Sequence, residues 1–126
     1  MMKITDAKDQ GPLSGKTYEA RVKYVCKKMR GGGCAITTFC VLAFNEETVT
    51  VHFYARASCT PKKYEADYSH DSSDERETYR WTKLGDLIAI DGFDQYGTFE
   101  YRDNKLIGSK GSFEDAALEF VEKPAE

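Results

Sequence analysis

The chain of 126 residues has the size of one domain and can bury a core without disulfide or metal staples. Hydrophobic residues at 40% and aromatics at 13% exclude a disordered chain, and no apolar run is long enough to cross a bilayer as a helix. A formal charge of −3, from 18 Lys and Arg against 21 Asp and Glu, argues against nucleic acid as a dedicated partner but leaves room for a local basic patch.

Residues 1–12 are polar, end in Gly11-Pro12 and read as a flexible lead-in to a single domain over residues 13–123. The opening stretch lacks the apolar centre of a signal peptide, which predicts a cytoplasmic protein as written, or an exported one if a signal has been trimmed away. Lys16 to Cys26 alternates, with Tyr18, Ala20, Val22, Tyr24 and Cys26 on one face and Thr17, Glu19, Arg21 and Lys23 on the other, the period of a half-covered strand. Lys27 to Gly33, closing on three consecutive glycines, reads as a hairpin loop. Cys34 to Phe44 is apolar on both sides and predicts a strand covered on both faces. After Asn45-Glu46-Glu47 a third strand runs from Thr48 to Arg56, with Val49, Val51, Phe53 and Ala55 in one phase. Ser58 to Pro61 breaks it, Lys63 to Tyr68 resumes with Tyr64, Ala66 and Tyr68 in phase, and Ser69 to Glu75 is a polar, acidic loop.

Residues 76–108 form a meander. Tyr79 to Thr82, Leu87 to Asp91, Thr98 to Arg102 and Lys105 to Gly108 are short runs rich in Ile, Tyr, Phe and Trp. Gly85, Gly92 to Gly97 and Asp103-Asn104 separate them. Only antiparallel neighbours can be joined by so few residues. The segment SKGSFED reads as a loop, and Ala116 to Lys123 as a final strand with Leu118 and Phe120 inward. Eight or nine strands in up-and-down order would leave two aggregation-prone edges as an open sheet. Closure removes them, so the expected fold is all-β: a single antiparallel up-and-down barrel or strongly curled meander.

Leu13-Ser14-Gly15-Lys16-Thr17-Tyr18, followed by Phe44…Val49-Thr50-Val51, Tyr79-Arg80-Trp81, Leu87-Ile88-Ala89-Ile90 and Leu106-Ile107-Gly108, resembles the strand rhythm of small bacterial lipocalin-like (calycin-type) barrels over roughly residues 13–122. The likeness departs from the family at its opening motif, where Thr17 stands in place of tryptophan and the aromatic residue, Tyr18, comes one position late; the Thr-Asp-Tyr turn is absent. The resemblance implies a barrel with one open end that holds a small apolar or aromatic molecule.

The phase expected to face inward supplies a lining for such a ligand: Tyr18, Tyr24, Phe53, Tyr64, Tyr68, Tyr79, Trp81, Phe99, Tyr101 and Phe120. Rings with a few phenolic hydroxyls suit a flat ligand, although the same residues could simply fill a small barrel. The alternative is an interaction or inhibitor module with a solid core, engaging a protein partner through Lys27, Lys28 and Arg30 on the glycine loop and through Phe93 and Tyr96 on the 92–97 loop. Cys26, Cys34, Cys40 and Cys59 contain no CxxC pair and read as mostly buried thiols. Asp71, Asp74 and Glu75 lack the spacing of a calcium loop, and Ser72 beside them is a weak phosphorylation candidate. Nothing places His52 or His70 beside Cys26 or Cys59, and Asp91 and Asp94 flank a turn, so no catalytic set, metal or cofactor is expected.

Overall fold

A computed structural model describes residues 13–71 and 76–123. In chain order these form β1 (Thr17–Met29), β2 (Gly32–Phe44) and β3 (Thr48–Thr60), then a 3-10 turn at Lys62–Tyr64 leading into the single-turn helix α1 (Glu65–Tyr68). There follow β4 (His70–Asp71), β5 (Glu77–Leu84), β6 (Leu87–Ile90), β7 (Phe99–Arg102), β8 (Lys105–Phe113) and β9 (Ala116–Glu122). Strands β1, β2, β3, β5, β6, β7, β8 and β9 pair antiparallel in that order, and β9 returns to β1. The result is a closed eight-stranded up-and-down barrel, with β4 added to the outer edge of β3.

Turn chemistry fixes the short connections. Asp103-Asn104 (φ 55° and 63°) and Glu114-Asp115 (φ 54° and 64°) both take the left-handed conformation of a tight two-residue hairpin. Asp and Asn tolerate this conformation better than most residues. The second turn corrects the expectation of a loop over SKGSFED: β8 runs on to Phe113 because Glu114-Asp115 supplies the turn without a glycine.

At the other end of the chain the glycine loop is also shorter than expected. Met29 pairs with Gly32, so the turn is Arg30-Gly31 alone, and Lys27 and Lys28 belong to β1. Gly31 takes φ 79°, while Gly32 and Gly33 are needed for proximity. A Cβ on Gly32 would lie 1.7 Å from the Thr60 carbonyl oxygen, and one on Gly33 would lie 2.8 Å from that of Lys27.

A bulge at Val22 overturns the expected facing of Tyr24 and Cys26. Arg21 pairs with Phe39 and Lys23 with Thr38, leaving Val22 with no opposite number and shifting the alternation by one residue. Tyr18 and Ala20 point into the core below the bulge; above it Tyr24 is 51% exposed and Cys26 is exposed. The stretch Lys63 to Tyr68, expected as a strand, is helical. Tyr64 and Tyr68 are four apart, a spacing that fits one helical turn as well as an extended run.

The core sits inside the closed section. Tyr18, Phe44, Phe99 and Phe120 are at most 2% exposed, with Leu13, Leu42, Val49, Ile88, Leu106 and Leu118 around them. The three longest strands outrun the barrel. β5 meets β3 only from Thr48 to Val51, and β9 meets β1 only at Tyr18 and Glu19, so the upper parts of β1, β2 and β3 continue as a three-stranded arm. At about 3.3 Å per residue the arm extends roughly 25–30 Å beyond the β1–β9 contact. Near its far end Cys34 and Cys59, directly opposite on β2 and β3, form a disulfide, which corrects their reading as thiols. Cys26 and Cys40 remain free.

Candidate functional site

The rings expected to line a ligand cavity instead pack against one another. Phe44 meets Tyr18 edge-on at 6.0 Å and Trp81 at 5.1 Å, and Phe99 meets Phe120 at 5.4 Å, the edge-to-face contacts that aromatic quadrupoles favour. The Trp81 indole N–H donates to the Asn45 carbonyl at 2.9 Å. Phe53, Tyr79 and Tyr101 are partly buried against this cluster. Tyr24, Tyr64 and Tyr68 lie elsewhere: the bulge turns the first outward, and the other two ride on the helical segment beside the arm.

Phe93 and Tyr96, expected as exposed anchors, are 8% and 6% exposed. Their loop tucks in. Phe93 packs on Tyr79 at 5.5 Å and on Tyr96 at 5.9 Å, and Tyr96 continues to Phe120 at 5.9 Å. Gly108 and Gly111 leave room for the Tyr96 side chain, since a Cβ on either would sit 3.3 Å from it. The sequence cue to this plug is a pair of aromatic residues in a loop otherwise made of turn formers, which suits burial as well as display.

Burial raises the Tyr18 and Tyr96 phenols and the Cys40 thiol well above their ordinary pKa values. The Tyr18 hydroxyl is fully enclosed and has no aligned hydrogen-bond partner among the described residues. Its neighbour Tyr101 adds to the shift but donates its own hydroxyl to Asn104 Oδ1 at 3.1 Å.

The open geometry lies outside the barrel, where the first and last strands meet. Only Tyr18–Glu122 and Glu19–Val121 pair across this joint. Above it β1 and β9 diverge around a cavity of about 520 Å³ lined by Ala20, Arg21, Phe39, Phe113, Glu114, Ala116, Ala117, Leu118, Glu119 and other residues of the same strands. The Arg21 guanidinium lies over the Phe113 ring at 4.9 Å, against the opposite wall. At the foot of the seam Glu19 accepts the Tyr54 hydroxyl at 2.7 Å and pairs with the Lys123 ammonium at 3.2 Å. Phe39 stacks on Tyr54 at 4.8 Å, and the Arg56 guanidinium lies 5.3 Å from the Tyr54 centroid. Burial and the hydrogen bond to Glu19 push the Tyr54 phenol up to about 12.

The arm concentrates positive charge. Residues 20–40 and 53–71, which include the helical segment and β4 beside the arm, carry eight Lys and Arg against Glu65, Asp67 and Asp71, in a chain whose overall charge is −3. Lys27 lies 5.7 Å from the Tyr68 ring, and Glu65 caps the Cys59 amide at 3.0 Å. Of the catalytic candidates, Cys59 is held in the disulfide, Cys26 hydrogen-bonds the Tyr24 hydroxyl at 3.4 Å, and the His52 ring lies 6.5 Å from Tyr54. His70 stands on β4, while Ser72, Asp74 and Glu75, with the Asp71 side chain, lie outside the described residues. The seam itself had no advance signal, because the alternating sequence of β1 does not say how far its second neighbour follows it.

Comparison with family models, curated proteins and solved structures finds no match for the chain.

Proposed function

We propose that this chain is a non-enzymatic interaction module that engages a partner on its outer surface, at the seam between β1 and β9 and the base of the arm. The single observation that carries this is the pairing of an interior occupied by its own aromatic side chains with a cavity of about 520 Å³ on the outside. A barrel whose rings satisfy one another has spent the surface a small ligand would use. Kinship with lipocalin-like barrels enters this reading only through strand order. The Cys34–Cys59 disulfide favours an oxidising compartment, where such bonds persist.

A second reading, a small molecule held inside the barrel, has one observation on its side: the enclosed Tyr18 hydroxyl without a partner. Native mass spectrometry of gently purified protein, repeated after denaturation, separates the two. The surface reading expects the same bare mass in both runs and no uptake of a hydrophobic fluorescent probe by the folded protein. A small molecule released on unfolding would move the function back inside the barrel.

A further inference from the structure

We infer that the tip of the arm docks end-on against the headgroups of an anionic phospholipid bilayer and leaves the barrel in water. This goes beyond the seam reading and uses a different surface, so either can fail alone.

The end of the arm gathers five cations. Lys27 and Lys28 lie in the last turn-ward residues of β1, Arg30 stands in the turn, and Lys62 and Lys63 follow Thr60-Pro61 beside it. A Cβ on Gly32 would meet both the Thr60 carbonyl and Pro61, so the turn and the start of the 3-10 segment are in close approach. All five cationic residues are exposed, and none forms an ion pair with a described carboxylate. Residues 24–38 and 55–64 contain no Asp or Glu, and Glu65, the next along, accepts the Cys59 amide. The Cys34–Cys59 disulfide lies in the same cross-strand row as Lys27 and ties β2 to β3 just behind the tip. The charge is held on a fixed scaffold.

The barrel has the opposite sign. Residues 13–19, 41–52 and 76–123, which build it, carry thirteen Asp and Glu against eight Lys and Arg. An anionic surface therefore attracts one end of the molecule and repels the other. With the tip at such a surface the barrel stands about 25–30 Å away. That is roughly three Debye lengths at physiological salt, far enough to screen its carboxylates.

The tip recognises by charge alone. The cavities at the seam and beside β4 lie away from it. So do the exposed large apolar residues, Tyr24, Val25, Leu84, Leu87 and Val121, which leaves the tip without the anchor on which protein interfaces concentrate their affinity. The nearest rings, Tyr64 and Tyr68, are faced by Lys63 at 5.4 Å and Lys27 at 5.7 Å and make a poor platform for stacking bases. A cluster of bare cations on a projecting end is what the surface potential of acidic headgroups attracts. The disulfide favours the same choice, since the compartments where such bonds persist offer bilayer surfaces and little nucleic acid.

The test is co-sedimentation of the intact protein with vesicles of phosphatidylcholine, with and without about one third phosphatidylglycerol. At about 0.1 M salt the protein should pellet only with the anionic vesicles, and about 1 M salt, where the Debye length falls to about 3 Å, should release it. Each basic residue near an acidic bilayer raises partitioning roughly fivefold, so Lys28→Gln with Arg30→Gln should weaken it about 25-fold. Lys83→Gln with Arg102→Gln removes the same charge at the opposite end, beside the β5–β6 and β7–β8 turns, and should leave partitioning within about twofold. Three results would each overturn the proposal: no pelleting with anionic vesicles at the lower salt; equal losses in the two double variants; or tighter binding, per anionic group, to duplex DNA or to polyglutamate than to the vesicles. None of them touches the seam reading, which falls only to an interior ligand in the mass measurement above.

Discussion

At the scale of single residues, the structure separates glycines that serve conformation from glycines that serve proximity. Gly85 takes φ 63° with open space where a Cβ would go, so Gly85→Ala should cost about 1–2 kcal/mol of left-handed strain and leave the fold in place. Gly32→Ala puts a methyl group 1.7 Å from the Thr60 carbonyl oxygen, which forces β2 and β3 apart. It should cost more than Gly85→Ala and disturb the neighbouring disulfide; denaturant midpoints and thiol titration of the two variants check both statements, and equal midpoints would refute the distinction. Trp81 is the second case. It is 3% exposed, packs edge-on to Phe44 and donates to Asn45, so Trp81→Ala should destabilise by about 3–5 kcal/mol. Trp81→Phe keeps most of the ring and loses the hydrogen bond, at about 1 kcal/mol for that contact.

At the scale of elements, the disulfide belongs to the arm and not to the barrel. It closes a loop of 25 residues between neighbouring strands, for which chain entropy gives about 3.5 kcal/mol of stabilisation. Reduction, or Cys34→Ser with Cys59→Ser, should therefore lower the unfolding free energy by about that amount, with hydrogen-exchange protection lost first in the arm and last in β5–β8. Uniform loss would show that arm and barrel unfold as one. The elements also show what the sequence made legible. Period-two alternation in Thr48–Arg56, Tyr79–Thr82 and Leu118–Phe120 located strands correctly, and the short gaps between them implied antiparallel neighbours and a barrel. It failed where one residue changes the phase, since the bulge at Val22 lies inside an unbroken alternating pattern and reverses Tyr24 and Cys26. It failed again at Phe93 and Tyr96, because a loop's aromatic residues carry no period that says whether they point in or out. The seam is a property of two strands far apart in sequence, and local patterning does not report it.

At the scale of the whole molecule, charge is distributed unevenly enough to change how the protein behaves. With a sequence pI of about 5.5 and an arm that, with the segments beside it, carries eight cations against three carboxylates, the protein should bind a cation exchanger at neutral pH and low salt despite its net negative charge. Lys23→Glu with Lys28→Glu should abolish that retention, and elution of the unmodified protein in the void would show that the arm's field is neutralised. The buried titratable groups give a second global property. Each has a raised pKa in the folded state, so each supports folding while protonated and withdraws that support as pH rises from its ordinary value through its folded one. The decline should begin near the ordinary thiol pKa of about 8.5 because of Cys40, and steepen from about 10 to about 12 as Tyr54 is joined by Tyr18 and Tyr96. Denaturant midpoints measured from neutral to strongly alkaline pH check this, and Cys40→Ala should move the onset to about 10. Closure of the barrel itself depends on two residue pairs joining the first strand to the last, with the Lys123 amide donating to the Thr17 carbonyl at 2.7 Å beside them. During synthesis β1 must wait, its edge bare, until Val121 and Glu122 have emerged. That joint is made last, and a fluctuation that parts it returns the molecule to a curled sheet without disturbing any other pairing.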